Sequence, residues 1–303
     1  MGTNTFHLVI ALIKGGSFDL IHRERRAVRI GEKGINEGFI TDEASARAIA
    51  TMIEFRKIID EHAITHIQAT ATSAFRNAKN GHALATGIYE AVGIRPRIIS
   101  GLEEAELIFE GVNAALDIGE DPALVMDIGG GSIEFIIGNR YQVFWKESFE
   151  IGGQRLLEKY HRNDPMTQED QGLLDAFLDV SLQDLIQNAA LHKPRVLIGT
   201  SGTFDTLSDI YIAAEQLEKK ASATERPLSI EGFHTIHQQL TSKNRAARLA
   251  IPGMIEMRVD MIVVASILVS FVLNRLGLED IRVSAYALKE GLLHQTINVS
   301  RSS

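Results

Sequence analysis

Short runs of alternating apolar and polar residues begin at the start of the chain. The opening sequence, MGTNTFHLVIA, has small or polar residues at 2–5, followed by a segment at 6–11 with the two-residue period of a strand. A second segment, ALVMDIGGGSIEFIIG at 123–138, predicts a strand, a glycine turn and another strand. Both segments therefore predict a tight turn that leads into a strand.

These two segments align residue by residue. Gly2 falls on Gly129 and Thr5 on Ser132, and the residues that follow, FHLVIA and IEFIIG, continue in step. This agreement predicts an internal duplication of one β-hairpin. The alignment also predicts that the first copy lacks its opening strand, because the counterparts of ALVM and of Asp127 would precede residue 1.

Elsewhere, segments with the helical period alternate with segments typical of strands. Helices are predicted at 41–61, 81–91, 100–115, 153–191 with a break at 161–165, 259–276 and 287–296. Further strands are predicted at 66–72, 97–99, 195–198 and 281–284. This order predicts an α/β fold with mixed sheets. The duplicated hairpin divides it into two related domains, 1–119 and 120–303.

Composition excludes several classes of protein. The chain contains no cysteine, so disulfides and thiolate metal sites are ruled out. The longest apolar run, 262–273, has 12 residues. A membrane span needs roughly 20 residues, so this run predicts a buried helix and no membrane partner. These features fit a cytoplasmic protein.

The net charge of −8 argues against broad binding to nucleic acid, so no such partner is expected. A polyanionic substrate needs only a local basic surface. Basic residues cluster at 22–29, 192–195 and 243–248. Each cluster is interpreted either as a solvated face or as such a surface.

The two glycine-containing turns are candidate phosphate sites. Successive backbone N–H groups in such a turn can point at one anion, and glycine lets the anion approach closely. The residues concerned are Gly2, Thr3, Asn4 and Thr5 in the first turn and Gly129, Gly130, Gly131 and Ser132 in the second. A purely structural hairpin is the alternative, but two copies that face each other across a cleft favour a phosphate site.

Two carboxylates adjoin the second turn. Asp127 ends the strand before it, and Glu134 lies two residues after Ser132, on the same face of the next strand. A carboxylate beside a phosphate site is suited to hold Mg²⁺. Both residues are therefore candidate metal ligands, and capping of its own turn is the alternative for Asp127.

The segment at 100–110, SGLEEAELIFE, predicts a helix with an acidic first turn. Ser100 and Glu103 have the spacing of a capping box, which gives Glu103 a structural role. Glu104 is left without one, and a positioned glutamate is a suitable general base for water. The alternative is that Glu104 only stabilises the start of its helix.

Two further segments carry candidate anion ligands. Arg76 follows the strand predicted at 66–72, where its guanidinium could grip phosphate oxygens in a bidentate way; a surface arginine is the alternative. The sequence GTSGT follows the strand predicted at 195–198, so Gly199, Thr200 and Ser201 are candidates at a strand-to-helix turn. Ordinary helix capping is the alternative there.

Taken in order, these motifs resemble the exopolyphosphatase / guanosine pentaphosphate phosphohydrolase family of the actin–Hsp70–sugar-kinase superfamily. The matching stretches are GTNTFHLVIA, ATATSAFRNAKNG, IISGLEEAELIFEGV, VMDIGGGSIEFIIG, GTSGT, RVDMIVVASIL and LEDIRVSAYALKEGLL. The resemblance implies two ribonuclease-H-like domains with the active site in the cleft between them. It also implies hydrolytic removal of a terminal phosphate that depends on Mg²⁺ or another divalent ion.

This resemblance also implies roles for single residues. Glu104 matches the base proposed in that family, and Arg76 matches its site arginine. The two phosphate loops fall on 2–5 and 129–132. The family's loop aspartate, serine and glutamate fall on Asp127, Ser132 and Glu134.

Two departures from the family pattern change the expectation. The strand and aspartate that precede the family's first loop have no counterpart, as the internal alignment also indicates, so we expect a truncated start. The C-terminal helical domains of longer members are absent as well. The chain therefore resembles the short two-domain form, which suits short or small substrates.

The leading interpretation is an exopolyphosphatase that acts on inorganic polyphosphate. Within the same class, the substrate could instead be guanosine pentaphosphate, although no aromatic stack for its base is evident. A kinase of the same superfamily would need an adenosine pocket, which the GTSGT turn could supply. An alternative from another functional class is a non-catalytic module that binds an alarmone or phosphate without cleaving it. The oligomeric state stays open, with a homodimer as one option.

Overall fold

A computed structural model of the protein describes residues 1–14, 17–220 and 222–302. The first part of the chain contains β1 (Thr5–Lys14), β2 (Ser17–Ala27), α1 (Asp42–Glu61), β3 (Thr70–Ala71), α2 (Ser73–Asn77), α3 (Gly81–Val92), β4 (Arg97–Ile98) and α4 (Gly101–Ala115). The second part contains β5 (Ala123–Ile128), β6 (Ile133–Gly138), β7 (Val143–Phe149), α5 (Gly153–Tyr160), α6 (Gln168–Ser181), α7 (Gln183–His192), β8 (Val196–Thr200), α8 (Ser201–Ala214), β9 (Glu225–Arg226), α9 (Ile230–Ser242), α10 (Arg245–Leu249), α11 (Met261–Leu276), β10 (Asp280–Ser284) and α12 (Leu288–Ser302). In the described ranges, no helix is long and apolar enough to cross a membrane.

The second part is built on a six-stranded mixed sheet in the order β7-β6-β5-β8-β10-β9. The three strands β5, β8 and β10 run parallel, whereas β6, β7 and β9 pair antiparallel with their neighbours. Both β5 and β6 are buried along their whole length, which explains their nearly continuous apolar sequences. The predicted α/β fold class is confirmed.

The first part repeats the turn and the strand that follows it, without a counterpart of β5, and its strands form two separate sheets. Strand β1 pairs antiparallel with β2, and β3 pairs parallel with β4. In the second part, β5 lies between β6 and β8, whereas in the first part Met1 bonds to β3 and the residue after it. The Met1 amino group donates to the Thr70 carbonyl at 2.6 Å, and the Met1 carbonyl accepts from the Thr72 amide at 3.2 Å.

The turns that open β1 and β6 have the same hydrogen bond. The Gly2 amide donates to the Thr5 carbonyl, and the Gly129 amide donates to the Ser132 carbonyl, each at 3.0 Å. The duplication predicted from the sequence is therefore present in the backbone.

Helix α4 begins where the sequence predicts. The Ser100 hydroxyl caps it by accepting from the Glu103 amide at 3.1 Å. The Glu103 side chain pairs with Arg97 instead of closing the capping box. The apolar face of α4 packs on the second sheet, with Ile108 in one cluster with Ile136. Although the domain boundary is predicted at 119, α4 thus packs against the part of the chain that follows it.

Four strands differ from the sequence prediction. The strand predicted at 66–72 is only β3, two residues long. Strands β2, β7 and the two-residue β9 were not predicted at all. In β2 most residues are exposed or half-buried and many are charged, so the strand has no apolar alternation to reveal it.

Candidate active site

A cavity of about 440 Å³ lies between the two glycine turns and extends along β1. Most of the residues predicted to form the site line it, namely Gly2, Thr3, Asn4, Thr5, Glu104, Asp127, Gly129, Gly130, Gly131, Ser132 and Ser201. Four others lie outside its wall, namely Arg76, Glu134, Gly199 and Thr200. The structure thus brings together side chains from both halves of the chain.

The two turns contact each other across the cavity. A Cβ atom on Gly130 would lie 2.8 Å from the Asn4 side chain, and one on Gly131 would lie 2.5 Å from Thr3 Oγ1. Such distances are shorter than van der Waals contact allows, so a side chain at either position would push the turns apart. The close approach explains why both positions are glycine.

Helix α5 holds the second turn from behind. Its first amides, those of Gly153 and Gln154, donate to the carbonyls of Gly129 and Gly130 at 2.9 Å each. The amides of Gly130 and Gly131 donate to no acceptor in the part of the chain that the structure describes. With its carbonyls engaged on one side, the turn has free N–H groups with which to bind an anion.

Two buried carboxylates face each other beside this turn. Asp127 and Glu134 are directly opposite across the β5–β6 pair and are 6% and 1% exposed. The Ser201 hydroxyl donates to Asp127 Oδ2 at 2.6 Å, and the Ser148 hydroxyl donates to Glu134 Oε1 at 2.7 Å. Ser201 adopts a left-handed backbone conformation, with φ of 66°, to make its contact.

Burial raises the pKa of both carboxyls. It brings the pKa of Asp127 to about 6, although the Ser201 hydrogen bond, Lys289 and Arg258 lower it. Burial, then the nearby carboxylates of Glu104 and Asp127, raise the pKa of Glu134 well above its usual value. Two adjacent carboxylates that resist ionisation fit a site completed by a divalent cation, since Mg²⁺ is bound by one or two carboxylates, water and phosphate oxygens. Among the described residues, no three His, Asp or Glu side chains are arranged to enclose a metal by themselves.

Glu104 enters the cavity from the first turn of α4. It is 7% exposed and accepts from Arg76 Nη1 at 3.1 Å. Burial raises the pKa of Glu104 to about 7, against the charge of Arg76, which lowers it. A carboxylate of this pKa can take a proton from water near neutral pH.

Arg76 lies behind Glu104 and is fully engaged. Its Nη1 donates to Glu104 and to the Ile99 carbonyl, the latter at 3.0 Å. Its Nε and Nη2 donate to Glu150 Oε1, at 3.3 and 2.8 Å. A role for Arg76 in gripping phosphate therefore stays a prediction, because its donors are directed here at two carboxylates and the Ile99 carbonyl.

In the GTSGT turn, Gly199 and Thr200 contribute to packing, whereas Ser201 contributes to the site. A Cβ on Gly199 would lie 2.0 Å from the Phe204 ring, and the Thr200 hydroxyl donates to the Tyr286 carbonyl at 2.7 Å. Gly199 thus leaves space for Phe204 of α8, and Thr200 holds the loop that follows β10. Ser201 alone contacts a cavity carboxylate, as described above.

Three cations that line the cavity include one from a predicted basic cluster, since Arg25 belongs to the cluster at 22–29. Arg258, Arg25 and Lys289 all contribute to its wall. Burial lowers the pKa of Arg258 to about 10, and its guanidinium lies against Gly202, where a Cβ would be 2.0 Å from Nη2. Arg258 opens the stretch RVDMIVVASIL that carries the family resemblance, but the sequence prediction gave it no role in the site.

One residue of a predicted basic cluster is not at the surface. Arg248, in the cluster at 243–248, is 0% exposed. It donates to the Val259 carbonyl at 3.0 Å and to Asp164 Oδ1 at 2.6 Å. Arg248 is therefore a buried structural residue, neither a solvated face nor a binding surface.

The sequence and the structure are both similar to known phosphatases. The model of the Ppx/GppA phosphatase family matches residues 9–299. The chain is 29% identical to exopolyphosphatase 2 of Mycobacterium tuberculosis over 307 residues, which covers 96% of this chain and 95% of that protein. It is 26% identical to exopolyphosphatase 1 of Mycobacterium leprae, covering 97% of this chain and 86% of that one.

Solved structures of exopolyphosphatases and of the same family are also similar to this structure. An exopolyphosphatase from Cytophaga hutchinsonii superposes with a TM-score of 0.95 at 45% identity, covering 98% of this chain and 96% of the other. A Ppx/GppA family member from Aquifex aeolicus has the same fold, with a TM-score of 0.81 at 24% identity over 100% of this chain and 97% of the other.

Proposed function

The chain belongs to the Ppx/GppA phosphatase family, and from this premise we propose that it is an exopolyphosphatase. It is a hydrolase of phosphoanhydride bonds, and the reaction we propose releases the terminal phosphate of inorganic polyphosphate by attack of water. The observation that carries the proposal is the contact between the two glycine turns beside Glu104. The backbone amides of the two turns can position a phosphoryl group, and a carboxylate whose pKa is near neutral can activate water.

The turns would hold the terminal phosphoryl group. The free amides of Gly130 and Gly131 can donate to its oxygens, and the hydroxyls of Thr3 and Ser132 line the same cavity. Because α5 fixes the second turn from behind, these donors are in place before the substrate arrives. Preorganised donors of this kind stabilise charge that develops on the phosphoryl oxygens.

Glu104 would act as the general base. Its pKa of about 7 leaves part of the population ionised at neutral pH while keeping the carboxylate basic enough to accept a proton. Arg76, 3.1 Å away, orients the carboxylate. The water would lie between Glu104 and the phosphoryl group and lose its proton as it attacks.

Asp127 and Glu134 would hold Mg²⁺. When bound, Mg²⁺ supplies positive charge for the phosphate oxygens and the leaving group. The Ser201 and Ser148 hydroxyls fix the two carboxylates in place, through the bonds given above. These hydrogen bonds would hold each carboxylate in one orientation for the ion.

The cations along the cavity favour a chain of phosphates. Arg25, Arg258 and Lys289 line the same space as the two turns. A polyphosphate carries charge on every unit, so these cations would attract its further units by Coulomb forces in a poorly solvated space. Guanosine pentaphosphate is the alternative substrate.

The test is phosphate release from polyphosphates of defined length and from guanosine pentaphosphate, assayed in parallel with and without Mg²⁺. We expect Mg²⁺-dependent release with a higher kcat/KM on polyphosphate. A higher kcat/KM on guanosine pentaphosphate would reverse the choice of substrate. If calorimetry shows that either compound binds and no phosphate is released, the protein is a binding module and not an enzyme.

A further inference from the structure

The carboxylate of Glu150 fills a site made of donors from both halves of the chain. Its Oε2 accepts from the Ser73 hydroxyl at 2.6 Å, and its Oε1 accepts from Arg76 Nη2 at 2.8 Å and Nε at 3.3 Å. Arg155 Nη2 lies 3.7 Å from Oε2. One acidic group is thus surrounded by a hydroxyl and two guanidinium groups.

These donors have the arrangement that binds a tetrahedral oxyanion. The edge of a guanidinium formed by Nε and one Nη binds two oxygens of a carboxylate or a phosphate. Arg76 directs this edge at Glu150, while its Nη1 serves Glu104 and the Ile99 carbonyl. The site adjoins the second glycine turn, because a Cβ on Gly131 would lie 2.4 Å from Ser73 Oγ.

The donors are fixed, and the carboxylate is the movable partner. Ser73 is 1% exposed. Arg155 is anchored on the Gly131 carbonyl at 2.9 Å and on the Ile35 carbonyl at 2.6 Å. The Glu150 side chain, in contrast, is 36% exposed and stands on the short connection between β7 and α5. Rotation of this one side chain would empty the site without moving the donors.

We propose that Ser73, Arg76 and Arg155 form an anion subsite for one phosphoryl group, and that Glu150 occupies it as an internal competitor. The identity of the ligand, a phosphoryl group of substrate or product, rests on the function proposed above. In the absence of an anion, the Glu150 carboxylate satisfies the buried donors. An incoming phosphoryl group displaces it and takes over the Ser73 hydroxyl and the Arg76 edge.

If Glu150 competes with phosphate, its removal should strengthen phosphate binding. If Glu150 only holds Arg76 in position, its removal should weaken that binding. When the competitor is removed, an external anion no longer has to break charge-assisted hydrogen bonds, each worth several-fold in affinity. We expect Glu150→Ala to bind inorganic phosphate about 5- to 30-fold more tightly than wild type. Glu150→Gln keeps an acceptor oxygen but loses the charge, so its gain should be smaller.

The experiment is isothermal calorimetry of the full chain with inorganic phosphate and with tripolyphosphate, in EDTA so that no turnover occurs. Tighter binding in the order Ala, Gln, wild type supports the subsite. Unchanged or weaker binding overturns it, because Glu150 would then only hold Arg76 in position. If Glu150→Ala does not fold, Glu150→Gln alone still decides between tighter and weaker binding.

Glu158→Gln is the matched control. Glu158 also links the two halves, by accepting from the Lys33 amide at 3.1 Å and from Asn36 Nδ2 at 3.0 Å, but it does not contact Arg76. Because the Glu158 charge also acts on Arg155, Glu158→Gln should gain affinity for phosphate, but less than Glu150→Gln does. An equal gain in Glu158→Gln would assign the effect to looser contact between the halves and would overturn competition. Because the readout is binding, a protein that fails to hydrolyse polyphosphate still tests the subsite.

Discussion

The Glu104 carboxylate accepts a hydrogen bond of 3.1 Å from Arg76 Nη1, and the pKa of Glu104 is nevertheless raised to about 7. Burial therefore outweighs the ion pair. The pair keeps the carboxylate oriented, and the burial keeps it basic. This balance between the two effects is the electrostatic basis of the proposed reaction, and it can be altered from either side.

Replacing Glu104 tests directly whether it is the general base. Glu104→Gln keeps the shape and an acceptor for Arg76 but cannot take a proton from water. We expect kcat for phosphate release from polyphosphate to fall by about 100-fold or more while the protein stays folded. Glu103→Gln is the matched control, since Glu103 is on the same helix turn but pairs with Arg97 outside the cavity. Full activity in Glu104→Gln would remove this residue as the base.

Removing the neighbouring cation should shift the pH profile. Arg76 favours the ionised form of Glu104, so Arg76→Gln should raise the pKa of Glu104 above about 7. The base works only when ionised, so the acidic limb of kcat/KM against pH should move to higher pH in the variant. A profile that only drops in height, with its limb unmoved, would show that Arg76 does not set the pKa of the base.

The glycine turns and Glu104 could be predicted from sequence because their signals are local. Gly129 and Gly2 stand in segments that repeat each other, and Glu104 was singled out once Ser100 and Glu103 had been paired as a cap. The amide cap formed as predicted, at 3.1 Å. Local patterns of this kind survive folding because they depend on neighbours within one turn of chain.

Other parts of the site depend on contacts distant in sequence. Arg258 precedes α11 and Lys289 is in α12, yet the fold brings both close enough to lower the pKa of Asp127, and the sequence alone assigned neither cation a role. Glu150 is equally unmarked, since its partners Ser73 and Arg76 are 77 and 74 residues away. Side chains that converge through tertiary packing leave no periodic signal in a single sequence.

Stability without metal should depend on the charge of Asp127. The folded protein keeps this carboxyl protonated up to about pH 6, whereas its usual value is 3.8. Because the pKa is raised in the folded state, the stability that Asp127 contributes is fully present below pH 3.8. It is lost as pH rises toward 6. In EDTA, wild type should therefore lose thermal stability across this interval more steeply than Asp127→Asn. Parallel curves of Tm against pH would contradict the buried charge.

Mg²⁺ should reverse that loss at neutral pH. An ion held by Asp127 and Glu134 binds the folded state alone, and at about 100 times its Kd it stabilises by about 2.7 kcal/mol. Differential scanning fluorimetry should show Tm rising with Mg²⁺ in wild type and not in Asp127→Asn. The readout is independent of turnover. An equal rise in both proteins would place the ion elsewhere.

The last prediction concerns the contact between the two turns. A Cβ in Gly131→Ala would lie 2.4 Å from Ser73 Oγ and 2.5 Å from Thr3 Oγ1, and both of these residues are buried. The turns must separate, so a phosphoryl group can no longer be gripped by both. Since oxyanion donors act over tenths of an ångström, we expect kcat/KM to fall by about 100-fold.

Gly172→Ala provides the comparison within the same chain. Gly172 lies inside α6, and nothing is within 4 Å of the position of its Cβ. Alanine there should leave kcat/KM unchanged and stabilise the helix by about 0.5–1 kcal/mol, measured by urea unfolding. The two variants add the same methyl group, so a difference in activity reports where the methyl is placed. If Gly131→Ala were as active as Gly172→Ala, the two turns would not act together on one phosphoryl group, and the proposed site would lose its main support.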